Sequence, residues 1–483
     1  MIRRIVVLTA ALVALPATAL AANTPAITDP YTNADSQHRT AVEPDTFAFG
    51  STLVVASQIG RYFDGGASGI GVATSTNNGV SFTSQALPGL TNNPPVGGGA
   101  YDRATDPVVA YDLKHNTWMV SSLLLSEAGG LQGAALVVNR STDGGFTWGA
   151  PVNVALAGAS NDYDKNWVAC DNHTSSPFYG NCYHTFDDFG DGDRILMSTS
   201  HDGGLTWSAP VATAGGVFGL GGQPLVQPDG DVIVPAANAF ETAVIAFRST
   251  NGGATWGDEV VISRARVRTP SGPIRSGSLP SAEIDSAGRV YVTWQDCRYR
   301  KGCKANDIVM SASDDGVTWA PVSRVPIDPL TSGADHFIPG LGVRTDTTGR
   351  LGLTYYFYDD AACGGRKTAP CGMKVGYVQS NNGGANWSAP QTLAGPFPVA
   401  WVPDTTQGRM VGDYISTSWI GDRAYGAFAV SNGLAGTTFD QRIYVPSGGV
   451  NATSFPSARV KEQAFSDTGA QQANPVSVIR RER

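Results

Sequence analysis

"STDGGFTW", residues 141–148, recurs as "SHDGGLTW" (200–207), "STNGGATW" (249–256), "SDDGVTW" (313–319) and "SNNGGANW" (380–387), with a weaker copy, "STNNGVSF", at 75–82. An Asp or Asn beside glycines is hairpin-turn chemistry, because the side chain accepts from backbone N–H groups and the glycines adopt positive φ without penalty. The closing tryptophan covers the apolar face of its own hairpin. The box residues Asp143, Trp148, Asp202, Trp207, Asn251, Trp256, Asp314, Trp319, Asn382 and Trp387 are therefore expected to be structural.

Working outward, each box is preceded by short β runs separated by polar turns, as in "DPVVAYDLKHNTWMVSSLL…AALVVNR" before "STDGG", and is followed by one more. Helical periodicity is absent. Box starts lie 49 to 67 residues apart, the spacing of four-stranded antiparallel blades around an axis. The fold expected is all-β, a β-propeller with seven blades preferred to six. A last unit at 410–446 has three strands and no box, and the segment near 24–32 is expected to supply its fourth and close the ring. The propeller spans 22–446, and the polar tail at 447–483 reads as mostly disordered.

The chain has 483 residues, 58 of them Gly and 29 Pro, with 15% charged residues and a net charge of −8. That balance disfavours nucleic acid, which is held by clustered Lys and Arg. Residues 1–21 combine "MIRR", the apolar run "IVVLTAALVAL" and "PATALA". Together these read as a secretory leader, so the protein is expected to be exported, secreted or periplasmic, with no membrane span. In that compartment the close pairs Cys170/Cys182, Cys297/Cys303 and Cys363/Cys371 read as disulfides, although six cysteines allow fifteen connectivities. Asp187, Asp188, Asp191 and Asp193 are a conceivable Ca²⁺ turn, but their spacing better suits a solvated acidic turn; no other cofactor is expected.

If the boxes join the third and fourth strands of each unit, the loops of the opposite face carry function. Those loops include "IGRYFDGG" (59–66), "AYDRATD" (100–106), "NDYDKNW" (161–167), "QDCRYRKGC" (295–303), "YDDAACGGRKTAPC" (358–371) and "QGRMVGDY" (407–414). Arg, Asp and Tyr around one opening suit an anionic or polyhydroxylated ligand.

The "S-x-D-x-G-x-T-W" boxes resemble those of the sialidase superfamily, over residues 40 to 446. The resemblance implies a glycan substrate, a monomer, and release of a terminal sialic acid by a Tyr nucleophile with a Glu partner, an Asp acid/base and carboxylate-binding arginines. Carried over residue by residue, it points to Tyr414, Glu283 and Asp64 for catalysis and to Arg61, Arg103, Arg298 and Arg366 for binding. The family's Arg-Ile-Pro at the first inner strand is "VEP" (42–44) here, leaving Arg39 or Arg103 to supply that arginine. Two other functions fit the same scaffold: a non-catalytic glycan- or protein-binding propeller, and a polysaccharide lyase using His336 or Tyr355.

Overall fold

The computed structural model describes residues 22–361, 372–452, 454 and 455. Among them the chain is all-β, interrupted only by short 3-10 turns, and no helix is long and apolar enough to cross a membrane. The expected leader and the tail from residue 456 lie outside the described residues, as do Cys363, Cys371 and Arg366. The start of the tail does not hang free. Ala424 and Val450 exchange backbone hydrogen bonds, and Val450 and Ala452 are buried, so the docked chain runs past the expected boundary at 446.

The strands hydrogen-bond into antiparallel sheets that follow one another along the sequence. An eight-stranded sheet consists of two four-stranded halves, residues 37–86 and 103–156, joined by the single pair Ala67–Ala104. Residues 163–212, 281–324 and 335–398 form four-stranded sheets, and residues 219–264 a five-stranded one whose leading edge is broken into two short pieces. The last sheet takes three strands from residues 416–446, and its fourth is Asn23–Ile27, paired antiparallel with Gln441–Pro446.

Each sheet opens with a leading strand, and these touch in succession. Gln37–Phe49 meets Arg103–Asp112, which meets Tyr163–Cys170; then follow Leu225–Val226, Ser281–Ile284, Asp335–Val343 and Ser416–Ile420, which returns to Gln37–Phe49. Strands inside the sheets are covered on both faces, so they read as long apolar runs; all nine residues of Ala67–Ser75 are buried. The core is correspondingly divided among layers between neighbouring sheets, such as Tyr183 and Met197 against Val234, Phe247 and Trp256.

All six boxes fall between the third and fourth strands of a sheet. In the first full copy, Asp143 Oδ1 accepts from the N–H groups of Phe146 and Thr147 at 3.1 and 2.9 Å, and Ser141 Oγ accepts from Gly145 N at 3.0 Å. Trp148 closes the turn by donating Nε1–H to the Gly145 carbonyl. The second glycine has a further duty, because the turn presses against the sheet before it. A Cβ on Gly253, whose φ is +83°, would lie 2.5 Å from Thr199 Oγ1 and 3.0 Å from Tyr183 Cε1. The same approach recurs between Gly316 and Ile233 and between Gly384 and Met310, whereas a Cβ on Gly79 of the first sheet would meet Tyr425 of the last at an ordinary van der Waals distance of 3.4 Å.

One box assignment is corrected. In "SDDGVTW", which is a residue short, the Ser-x-Asp register puts Asp315 rather than Asp314 in the turn. Asp315 Oδ1 accepts from Val317 N and Thr318 N at 2.8 and 2.7 Å, while Asp314 pairs at the surface with Arg289. The Thr318 and Val317 N–H groups hold the Asp315 carboxyl down at about 2. Its contribution to stability is therefore complete above the unfolded carboxyl value of about 4 and disappears as pH falls through about 2. We expect Asp315→Ala to cost about 1 kcal/mol and Asp314→Ala less than about 0.5 kcal/mol in urea unfolding at pH 7, with the gap between them closing near pH 2; equal effects at pH 7 would contradict the register.

Candidate functional site

Four leading strands carry a β-bulge in their first half, on the side away from the box turns. The register breaks at Val42/Asp45, Thr105/Val108, Asp164/Trp167 and Phe337/Gly340. The bulged residues hold positive φ: Glu43 +53°, Asp106 +50°, Lys165 +37° and Ile338 +48°. For side chains other than Gly this is costly backbone, held only where the surroundings over-determine it. Here the bulges re-aim Glu43, Asp106 and Lys165 toward one another.

These three meet Asp413, which precedes the last leading strand, and Arg275. Lys165 Nζ lies 2.7 Å from Asp413 Oδ2, 3.3 Å from Asp106 Oδ1 and 3.7 Å from Glu43 Oε1. Arg275 grips Asp413 with both Nε and Nη2, at 2.8 and 2.6 Å. Gln58 Nε2 donates to Glu43 Oε2 and also to Thr105 Oγ1. All these charged side chains are buried, so their ionisation is set by neighbours rather than by water. Burial pushes the Asp413 carboxyl up, but Arg275 and Lys165 outweigh it and hold the group well below the usual range. Burial drives Glu43 well above that range, only partly offset by Lys165, and raises Asp106 in the same way. Lys165 stays protonated because Asp106, Asp413 and Glu43 overcome its burial.

Two adjoining depressions open onto this cluster and share Asp106 and Lys165 as their divide. One is polar, lined by Glu43, Gln58, Arg61, Thr105, Asp164 and Arg275 among others. The second has an apolar wall of Trp167, Leu279, Pro280 and Tyr414, with Gln223 at its edge. Trp167 and Tyr414 meet edge to face at 5.4 Å.

Of the residues singled out from sequence, Arg61 and Tyr414 line these depressions. Arg61 Nε donates to Met410 Sδ at 2.7 Å and its Nη1 to the Tyr62 carbonyl. The Tyr414 hydroxyl donates to the Pro107 carbonyl at 3.0 Å, and burial, reinforced by Glu43 and Asp106, puts its pKa well above the ordinary phenol value. Glu283 lines neither depression; it lies on the leading strand Ser281–Ile284, where burial and then the Asp45 carboxylate raise it well above the usual range.

Arg103 is held by Asp64 and Glu127 at 2.5 and 2.6 Å and stacks 4.0 Å from the Tyr62 ring centroid. Burial raises Asp64, but Arg103 outweighs it and keeps that exposed carboxyl ionised. Arg298 binds Asp296, Ser263 and the Arg264 carbonyl, outside both depressions. His336 and Tyr355 are buried in another cluster, where Arg300 and Arg324 both engage Asp307 and Asp328. Asp188 caps the turn Phe189–Asp191 through Gly190 N, and Asp191 pairs with Arg194. The disulfides Cys170–Cys182 and Cys297–Cys303 are formed.

The centre of the site, Glu43, Asp106, Lys165, Arg275 and Asp413, is absent from the residues selected by sequence. A signal existed. "VEPD" (42–45), "TDPVV" (105–109), "GQPLV" (222–226), "SLPSAE" (278–283) and "FIPGLG" (337–342) place Pro at one position in five of the units, which marks Glu43 and Asp106 but not Lys165, followed by Asn166, nor Arg275 and Asp413.

No protein-family profile and no curated protein matches the chain. Solved structures similar to it include a polysaccharide lyase, the PL25 ulvan lyase, at 11% identity over 90% of this chain and 98% of that one, with a TM-score of 0.50. A protein from Dyadobacter fermentans matches at 16% identity over 74% of this chain and 98% of its own, TM-score 0.46. The Hadza microbial sialidase Hz136 matches at 17% identity over 65% of this chain and 63% of its own, TM-score 0.43. At these identities the likeness is one of fold.

The ion cluster itself is testable. Removing its central cation leaves three buried carboxyls facing one another, so Lys165→Met is expected to cost about 3–5 kcal/mol in chemical denaturation, and an unchanged midpoint would show that Lys165 does not neutralise them.

Proposed function

We propose that the chain is a carbohydrate-acting β-propeller of seven blades, with the paired depressions at its mouth as the active centre. The succession of touching leading strands and the pairing of Asn23–Ile27 with the last sheet support seven blades. The carrying observation for function is the convergence of Glu43, Asp106, Lys165, Arg275 and Asp413, from widely separated segments, beside the wall of Trp167, Leu279, Pro280 and Tyr414. Convergent polar groups next to an apolar face are what a sugar ring requires. A fold shared with a polysaccharide lyase over 90% of the chain is consistent with such a ligand. The two disulfides agree with export.

The reaction we propose is glycoside hydrolysis. Burial raises both Glu43 and Asp106, Glu43 the more strongly, while Lys165, 3.3 Å from Asp106, favours the ionised form of Asp106, so the two can divide into acid and carboxylate roles. Glu43, kept protonated by burial, donates its proton to the departing glycosidic oxygen; Asp106 lies on the divide, where its carboxylate faces the positive charge that develops at the anomeric carbon. Water completes the cleavage and restores the proton. Nucleophilic attack by Tyr414 with Glu283, and protonation by Asp64, has less support. The phenol is surrounded by carboxyls, no hydrogen bond joins it to Glu283, and Asp64 is bound to Arg103. A non-catalytic glycan receptor is the second reading, favoured by the saturation of Arg275 and Lys165 within the cluster.

On a panel of fluorogenic glycosides that includes a sialoside, Glu43→Gln should lower kcat by at least about 100-fold and Tyr414→Phe by less than about tenfold. Loss of turnover with Tyr414→Phe but not with Glu43→Gln would move the chemistry to the tyrosine. Saturable glycan binding without turnover of any substrate would make the chain a receptor.

A further inference from the structure

The charge of the ligand can be read from the mouth, granting that the mouth binds a sugar. Its cations are Arg61, Lys165 and Arg275; its carboxyls are Glu43, Asp106 and Asp164, with Asp413 directly beneath. Lys165 and Arg275 are therefore reached only beside a carboxyl, and Arg61 is engaged by Met410 Sδ and the Tyr62 carbonyl. Lys165 already lies 2.7 Å from Asp413 and 3.3 Å from Asp106, and both inward nitrogens of Arg275 hold Asp413. On the flank, Arg103 is held in turn by Asp64 and Glu127.

Capturing a sugar carboxylate takes guanidinium or ammonium groups with uncompensated charge, since the bidentate pair must repay the desolvation of both ions. Here an entering carboxylate that reached Lys165 would also face Asp106, 3.3 Å from the same ammonium. Hydroxyl groups meet no such opposition. They can donate to Asp106, Asp164 and the Gln58 side-chain carbonyl and accept from the Thr105 hydroxyl, while a C–H face of the ring lies on the wall of Trp167, Leu279, Pro280 and Tyr414. We infer that the mouth selects a neutral, polyhydroxylated sugar and discriminates against sialic and uronic acids.

The test is binding of the full-length protein to a glycan array printed with matched pairs: uronic-acid oligosaccharides beside their carboxyl-reduced forms, and sialylated glycans beside the same glycans with the sialic acid carboxyl amidated. Hits are then titrated calorimetrically at pH 7. The neutral member of a pair should bind at least about tenfold tighter than the acidic one, because the ring and linkages are otherwise shared. Asp106→Asn removes a negative charge from the divide and should narrow that ratio by about tenfold; if this variant does not fold, Asp164→Asn is read in the same way. Tighter binding of the acidic members by the wild type would overturn the inference and leave the mouth a sugar site. So would a ratio that neither variant changes. Folded protein that binds no member of any pair would remove both this inference and the carbohydrate function on which it rests.

Discussion

The structure depends on how closely each box turn can approach the sheet before it. A glycine with φ near +83° at position 253 lets the turn settle on Thr199 and Tyr183, and the same contact recurs at Gly145, Gly204, Gly316 and Gly384. The sheets that carry a close box glycine are thereby docked on their predecessors by a feature of their own hairpins; the last sheet has no box, and the first touches it through Gly79 and Tyr425. The acid and the tryptophan of the box serve this purpose indirectly, by fixing the turn in the shape that brings the glycine forward.

With spacing controlled on the box face, the other ends of the leading strands are free to vary in chemistry. They do so at one structural position. Bulges put Glu43, Asp106 and Lys165 into a common centre and, in a later sheet, Ile338 at the equivalent place. The result is asymmetric, charged toward the first three sheets and apolar beside Leu279 and Pro280. A ligand held there is presented with hydrogen-bonding groups on one side and a dry wall on the other.

Much of the fold was legible in the sequence, because the box is local chemistry. Ser141, Asp143, Gly145 and Trp148 satisfy one another within eight residues, so their pattern survives in the one-dimensional string. The shortened copy misled, since adjacent aspartates at 314 and 315 cannot be told apart until the turn's N–H groups are seen. The site was less accessible. Arg103 and Arg298 have the residue type expected of a ligand clamp, but their partners Asp64, Glu127 and Asp296 are brought to them by loop geometry. Conversely the stretches holding Asp106 and Lys165 read as functional loops without either residue being singled out; they lie with Glu43 in leading strands, and the bulges turn them inward.

The strand Asn23–Ile27 pairs with Gln441–Pro446, the first partner of Asn23 being Pro446. A chain emerging from its N-terminus must hold that strand in reserve while every intervening sheet is made, leaving an unpaired edge exposed until the final hairpin arrives. Assembly is in this sense held open by topology, with contacts of very long sequence separation formed last. A polypeptide of this design completes its last sheet only when both of its ends are in hand, whereas one built of purely local modules closes them one at a time.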